Sequence, residues 1–496
     1  MTRPTVTNAA RDAAARPATA SDRRDRIGAP TDRDAAMPRV LILNRSFYPD
    51  TEATGQLLTT LCRGLAVRYE IEVIAGHPNH VQTGDDSTGS ASDESISTVP
   101  NTGGFTLHAP EGAIEVCTAR HTRFAKTSLV GRAANFVSFV AMALVTALRR
   151  PKADVVVCET DPFLLLLIGP LVARRHGAKF VAYLQDIYPD VAVAVGKVRE
   201  RAFTRWLRRR LVAACNRAER VVVLSEDMRD RCIRNGVRPT TDDGQPRIAI
   251  VPNWTDCQAV YPIKSNNRFR HVHDLEDAFV VMYSGNLGMA HLIEPLVDVA
   301  EDLSRSPVDG VDVQFVLIGE GARKAALQQA VAERGLTNVR FLTYQPRETL
   351  AESLSAADVH LVTMKPETAG CVVPSKLYGA LASGTAVVVA GPEQGDLARV
   401  VRDADAGLVV AADPSETLPR RLAGAIRTLA ANPEATAAMG QRARHVCERD
   451  YDAPSSIAAF DRVLRGALGR PLATPPVEAS SVGVVEPAAV LQGAGQ

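Results

Sequence analysis

The sequence lacks the marks of several protein classes. Its eight cysteines are scattered with no C-x-x-C pair, which argues against a zinc cluster or a disulfide framework and fits a reducing cytoplasm. Charge of one sign is not in excess: 57 Lys and Arg stand against 56 Asp and Glu, so no global field points to nucleic acid as a partner. No secretory signal opens the chain, because residues 1–36 are Ala, Arg, Asp, Pro and Thr without an apolar core. No Ser/His/Asp or Cys/His constellation suggests a nucleophile. No complete G-x-G-x-x-G follows any strand-like run, which argues against a dinucleotide dehydrogenase.

What is present is enough chain for two cores. At 496 residues, with 46% hydrophobic and 23% charged residues, the composition is that of a soluble globular protein. Segment 1–37 cannot bury enough apolar surface to offset its ordering entropy and reads as a disordered tail, as does 471–496. Between them, short β-branched runs alternate with helical segments. The runs Val40–Leu43, Ile71–Ala75, Ile114–Thr118, Asp154–Cys158, Lys179–Leu184, Arg220–Leu224 and Ile248–Val251 are almost wholly apolar, as strands covered on both faces should be. The pattern restarts at Phe279–Tyr283 and continues through Val313–Ile318, Val339–Tyr344, Asp358–Val362, Ala386–Ala390 and Gly407–Val410. Two α/β domains with doubly wound parallel sheets follow, at 38–255 and 256–453, with 82–104 as a Gly/Ser/Asp/Thr-rich loop insertion and 454–470 as a terminal helix. Such a pair places a ligand cleft between the carboxyl ends of two sheets.

The most informative stretch is Pro374-Ser375-Lys376-Leu377-Tyr378-Gly379-Ala380-Leu381-Ala382-Ser383-Gly384. Pro374 suits a first helical turn, so Ser375 and Lys376 lie beside free backbone N–H groups and the positive end of a dipole. A lysine there adds a compact charge for a diphosphate. The alternative is an amphipathic helix with a solvated lysine. Tyr283-Ser284-Gly285-Asn286-Leu287-Gly288 and Ile318-Gly319-Glu320-Gly321 each put glycine at a strand's carboxyl end. Each alone is an ordinary turn. Together with Ser375 and Lys376 they are better explained by one nucleotide.

These segments resemble the retaining GT-B glycosyltransferases of the family-four type, above all the fucosamine-transferase-like branch of capsule, O-antigen and colanic acid biosynthesis. The resemblance runs from Pro38 to Leu468 and rests on YSGNLGMAH, VLIGEGARKAAL, VVPSKLYGALASG, LNRSFYPDTEATGQLLTTLCRGLA, LQDIYPD, VVVLSEDMRD and VPNWTD. It implies a GT-B fold, two Rossmann-like domains facing a central cleft. Ser375, Lys376, Gly285 and Asn286 would then meet the donor diphosphate. Gly319 and Gly321 would admit the nucleotide, with Tyr344 and Tyr378 beside it, and Gly55 would approach from the opposite domain. The implied chemistry is front-face transfer with retention, in which cations and amides stabilise the leaving diphosphate without a metal ion or cofactor, the nucleotide sugar being a substrate. The family's glutamate pair is absent: its positions hold Cys371 and Gly379. Asp396 is a substitute candidate, or alternatively a plain helix N-cap. Asp186, preceded by Gln185 where the family often has histidine, is a candidate for orienting acceptor or sugar hydroxyls.

Asp403-Ala404-Asp405 is formally a D-x-D, but it sits where turn acids are routine, so no metal role is assigned. His77 and His80 lack a third ligand, and His271 and His273 read as solvated. Lys197–Arg220 carries nine Lys/Arg against two Glu, with Phe203, Trp206, Leu207, Leu211 and Ala214 at helical spacing, the composition expected at an anionic membrane surface. Asn135–Leu148 is apolar and flanked by arginines, but too short to span a bilayer. The expectation is a cytoplasmic enzyme, peripheral on the inner face of the plasma membrane. It would transfer a sugar from a nucleotide donor, a UDP-sugar, to a lipid-linked saccharide. A nucleotide-sugar 2-epimerase on the same fold and a non-catalytic partner in a polysaccharide assembly complex are the rival readings.

Overall fold

The structure, a computed structural model, describes residues 37–50, 53–77, 104–109, 112–124, 129–308 and 310–469. The two tails and most of the 82–104 insertion lie outside the described residues, as does His80. The described residues from Pro38 onward form one compact unit, and two sheets organise it. The first holds β1 (Arg39–Leu43), β2 (Glu70–Ala75), β3 (Gly104–Ala109), β4 (Gly112–Thr118), β5 (Val155–Glu159), β6 (Lys179–Tyr183), β7 (Arg220–Val223) and β8 (Ile248–Ile250), in the order 3-4-2-1-5-6-7-8. The second holds β9 (Ala278–Ser284), β10 (Asp312–Ile318), β11 (Val339–Leu342), β12 (Val359–Thr363), β13 (Ala386–Gly391) and β14 (Gly407–Ala411), in the order 11-10-9-12-13-14.

Every pairing is parallel except β3 with β4. That antiparallel edge pair corrects the sequence reading, which took 82–104 as a loop insertion and, between it and the expected strand Ile114–Thr118, gave no strand to Gly104–Ala109. Phe105 and Leu107 alternate with exposed Thr106 and His108, a period of two too short to stand out beside the glycines.

Side-chain alternation explains why the central strands are apolar throughout. On β6, Phe180 packs against Gly169 of the helix Leu165–His176, while Tyr183 points the other way and meets Phe460 edge-on at 5.2 Å. Phe460 belongs to the helix Ala453–Leu468, whose Val463, Leu464 and Ala467 join the first sheet's core. The C-terminal helix therefore completes the first half, and the chain crosses between the halves twice. The crossings lie side by side: Thr255 N–H donates to Tyr451 O (3.1 Å), Ala453 N–H to Thr255 O (3.0 Å) and Cys257 N–H to the Asp452 carboxylate (3.0 Å).

Candidate functional site

In a doubly wound sheet the crevice forms where the strand order reverses, because adjacent loops there diverge to opposite faces. The reversal falls between β1 and β5 in the first sheet and between β9 and β12 in the second. Loops at both points meet in pairs: Arg45 N–H donates to Asp161 O at 2.7 Å, and Lys365 N–H to Ala290 O at 3.0 Å.

On the second half, the β9 and β10 loops lie directly on one another. Gly285, Gly319 and Gly321 have φ of 141°, 136° and 156°, and a Cβ on Gly319 or Gly321 would fall on the carbonyls of Gly285 or Leu287. Glycine at 319 and 321 is thus required by loop-on-loop packing, whatever binds beside it. A Cβ on Gly285 would stand 3.1 Å from Lys376 Cε, so the lysine runs along this loop. Its Nζ lies 3.9 Å from the centroid of the Tyr283 ring and donates to the Tyr283 hydroxyl, which in turn donates to Asn286 O at 2.9 Å. Lys376 is half-buried, and among the described residues no carboxylate lies within ion-pair distance of it. Burial without compensation pushes its ammonium pKa well below the ordinary value.

His291 meets Tyr283 edge-on, with ring centroids 6.2 Å apart. Its Nδ1 lies 2.7 Å from Thr363 O. Burial and the nearby Lys376 hold the imidazole pKa down, to about 3. A cavity of about 480 Å³ is lined here by Ser284, Gly285, Asn286, His291, Ser375, Lys376 and Gly379, with Arg347 and Leu350 at one end. Ala53, Gln56, Leu57 and Thr60, from the helix Ala53–Leu65, close it from the first half. Gly55 lies in that helix but turns inward, where its absent Cβ lets Ser46 and Phe47 approach.

A second cavity of about 1180 Å³ adjoins the first at Asn286. Gly321 and the half-exposed Tyr344 line it from the second half, and Arg45, His121, Arg123, Arg132 and Asp161 from the first. Arg45 pairs with Asp161 at 3.1 Å. Asp186 lies behind this wall, its backbone N–H donating to Thr160 Oγ1 at 3.2 Å. Burial first, and then the neighbouring Asp161 charge, raise the Asp186 carboxyl to about 6. Deeper still, Glu159 is fully buried beside the Gln185 side chain, and burial raises its pKa strongly.

Lys376, Ser375, Gly285 and Asn286 therefore share one cavity, and Gly321 and Tyr344 flank the next. Tyr378 and Asp396 lie elsewhere, lining a hollow on the other side of the helix Lys376–Ala382. Asp396 heads the helix Asp396–Asp403, and its carboxylate accepts from Asp227 N–H at 2.9 Å while Asp227 returns the same bond to Asp396 N–H. Of the former glutamate positions, Gly379 opens onto the 480 Å³ cavity, whereas Cys371 is buried and its carbonyl accepts from Ile187 N–H at 2.8 Å. Asp405 pairs with Arg442 at 2.9 Å. His291 and Arg347 escaped the sequence reading. The histidine sat inside the quoted YSGNLGMAH run, but nothing in its spacing says that it turns toward Lys376.

The chain matches two family models: "Glycosyl transferase 4-like domain" over residues 54–254 and "Glycosyl transferases group 1" over 264–446. It is 25% identical over 454 residues to the putative colanic acid biosynthesis glycosyl transferase WcaI of Escherichia coli K12, covering 86% of this chain and 100% of that protein. It is 26% identical over 280 residues to the probable glycosyltransferase WbjE of Pseudomonas aeruginosa, covering 56% of this chain and 67% of that one. Among solved structures, HepE of Anabaena, crystallised with UDP and glucose, superposes with a TM-score of 0.60 at 18% identity over 86% of this chain and 99% of HepE. Sucrose-phosphate synthase of Thermosynechococcus elongatus does so with 0.64 at 18% identity, over 87% and 99%.

Proposed function

Taking as premise that this chain is a glycosyltransferase of the GT-B fold, we propose that it transfers a sugar from a UDP-type nucleotide donor, with retention, to a lipid-linked saccharide at an anionic membrane surface. One observation carries the donor half of this reading. Lys376 is a half-buried cation without a carboxylate, at the switch point of the second sheet and against the Gly285 loop. A lysine in that state is costly until an anion arrives, and a bound diphosphate restores its charged form. The negative charge that develops on the leaving diphosphate then faces a cation already in place, the arrangement from which electrostatic catalysis draws its advantage. Relatives support the choice of donor: HepE was crystallised with UDP and with UDP-glucose.

The acceptor half rests on the outer layer of the first domain. The helix Leu129–Arg149 is long and apolar enough to cross a membrane by length and composition, longer than the fourteen-residue apolar run suggested. Yet Phe139, Ala143 and Ala147 are fully buried along one stripe, so the helix is docked on the domain and offers Val137, Met142 and Val145 outward. That is the geometry of an element lying in the interface plane. A thermal-shift screen of nucleotide sugars tests the donor assignment, because a ligand that binds only the native state raises the melting temperature. A UDP-sugar should raise it well above any other nucleotide. Equal silence from all of them rejects the reading and favours a non-catalytic partner role, for which the absent glutamate at Gly379 is the argument.

A further inference from the structure

The geometry points to His291 as a specificity-determining residue: its Nε2 accepts a hydrogen bond from a hydroxyl of the donor's sugar moiety, alongside but independent of diphosphate binding at Lys376. This rests on the donor-site reading above.

The argument begins with the tautomer. Nδ1 lies 2.7 Å from Thr363 O, and a carbonyl oxygen can only accept, so Nδ1 carries the proton. In the neutral ring Nε2 is then a bare lone pair. Among the described residues it has no hydrogen-bond partner, while His291 lines the cavity shared by Gly285, Ser375 and Lys376. The charged and titratable groups around the ring keep it neutral. Lys376 on the following helix and Lys365 after β12 both oppose a second positive charge, and Tyr283 on β9 presents its ring edge-on at 6.2 Å. A bare lone pair repels phosphate oxygens and suits a hydroxyl donor. The hydroxyls of the transferred sugar are donors that a nucleotide sugar brings and that its nucleoside diphosphate, with only the ribose hydroxyls, lacks. A site built to pair with a particular hydroxyl rejects analogues without it, because the buried acceptor is left unmatched. The position is held firmly, since Lys365 N–H ties the loop at Ala290 O (3.0 Å).

The test compares two ligands on the full-length protein by calorimetry: the UDP-sugar identified by the thermal-shift screen, and UDP alone. His291→Leu should weaken the nucleotide sugar about tenfold or more, as losing one hydrogen bond to a buried acceptor does, yet leave UDP affinity within about twofold. His291→Gln, which keeps an acceptor, should recover most of the loss, and its melting temperature checks that folding is intact. Any rise in nucleotide-sugar affinity on acidification from pH 8 to 5.5 belongs to Lys376 and should persist unchanged in His291→Leu. Equal losses for both ligands in His291→Leu would overturn the inference, and so would wild-type UDP affinity that climbs on acidification and no longer does so in the variant. The first result would place His291 against the part that both ligands share, and the second would make it a phosphate-binding cation. If UDP itself fails to bind the wild type, the donor-site reading falls first, and this inference with it.

Discussion

In the proposed donor site Lys376 is the decisive residue, a half-buried cation lying along the Gly285 loop with no carboxylate at ion-pair distance among the described residues. Removing one preorganised electrostatic group costs about a hundredfold to a thousandfold in turnover. Lys376→Ala should therefore lower kcat by roughly that factor while changing the melting temperature little, since among the described residues its side chain bonds only the Tyr283 hydroxyl. Steady-state kinetics beside a thermal melt reads both, and wild-type turnover would remove the centre of the donor assignment. Asp186 supplies a second residue-scale expectation. Its carboxyl, raised to about 6 by burial and Asp161, is charged above that pH and neutral below it. If the charged form orients an acceptor hydroxyl, kcat/KM should fall on acidification through pH 6, about tenfold per unit. Asp161→Asn removes the like charge, so the acid limb should move to lower pH. These roles were unequally legible. Lys376 announced itself because strand, proline and lysine occur in one short run. His291 and Glu159 did not, since a side chain's direction across a cleft or into a core is a tertiary fact with no local spacing.

At the scale of single elements, the basic helix Ala202–Cys215 shows what periodicity reveals and what it conceals. The sequence placed Phe203, Trp206, Leu207, Leu211 and Ala214 on one apolar stripe. In the fold that stripe divides: Leu207, Leu211 and Ala214 are buried, while Phe203 and Trp206 are 66% and 53% exposed and stack on each other at 5.8 Å. Helical spacing could not separate them, because two adjoining stripes look like one broad one. Arg208 also departs from expectation. It is committed to Asp190 (3.0 Å) and Glu200 (2.9 Å), so it is no surface cation, whereas Arg205, Arg209 and Arg210 are exposed. Exposed aromatics beside unpaired arginines suit a headgroup boundary, each cation near an anionic leaflet contributing about 1 kcal/mol. Co-sedimentation with phosphatidylserine-containing vesicles should therefore be strong at low salt. It should weaken at high salt, where the Debye length shrinks to about 3 Å at 1 M. Replacing Arg205, Arg209 and Arg210 with Glu should abolish it without touching UDP binding. A wild type that ignores such vesicles would assign the acceptor to solution.

At the scale of the whole molecule, the two halves are joined by the paired crossings at 251–257 and 451–453, by bonds from Ile187 N–H to Cys371 O (2.8 Å) and from Arg231 to Ala369 O (2.9 Å), and by a separate contact between two helix ends. There the helices Glu226–Arg234 and Asp396–Asp403 point their N-termini at each other, and each aspartate caps the other's helix across the gap at 2.9 Å. Arg399 bridges both carboxylates, reaching Asp227 at 3.1 Å. Two carboxylates this close would repel without the guanidinium. The sequence offered only a possible N-cap at Asp396, since reciprocity with a residue 169 positions away has no local trace. The groups are one-sixth to one-third exposed, so the cluster should exceed the ~1 kcal/mol of a surface pair yet stay well below a fully buried one. A contact of that size helps hold the halves together without locking them. Arg399→Ala should leave each half folded but let them part, raising the radius of gyration in small-angle scattering. If the second half holds the donor as proposed, UDP should bind almost unchanged. Turnover should fall roughly five-fold or more, because Ala53, Gln56 and Thr60 would no longer close the donor cavity. An Arg399→Ala protein with unaltered scattering and turnover would reduce the cluster to ordinary helix capping.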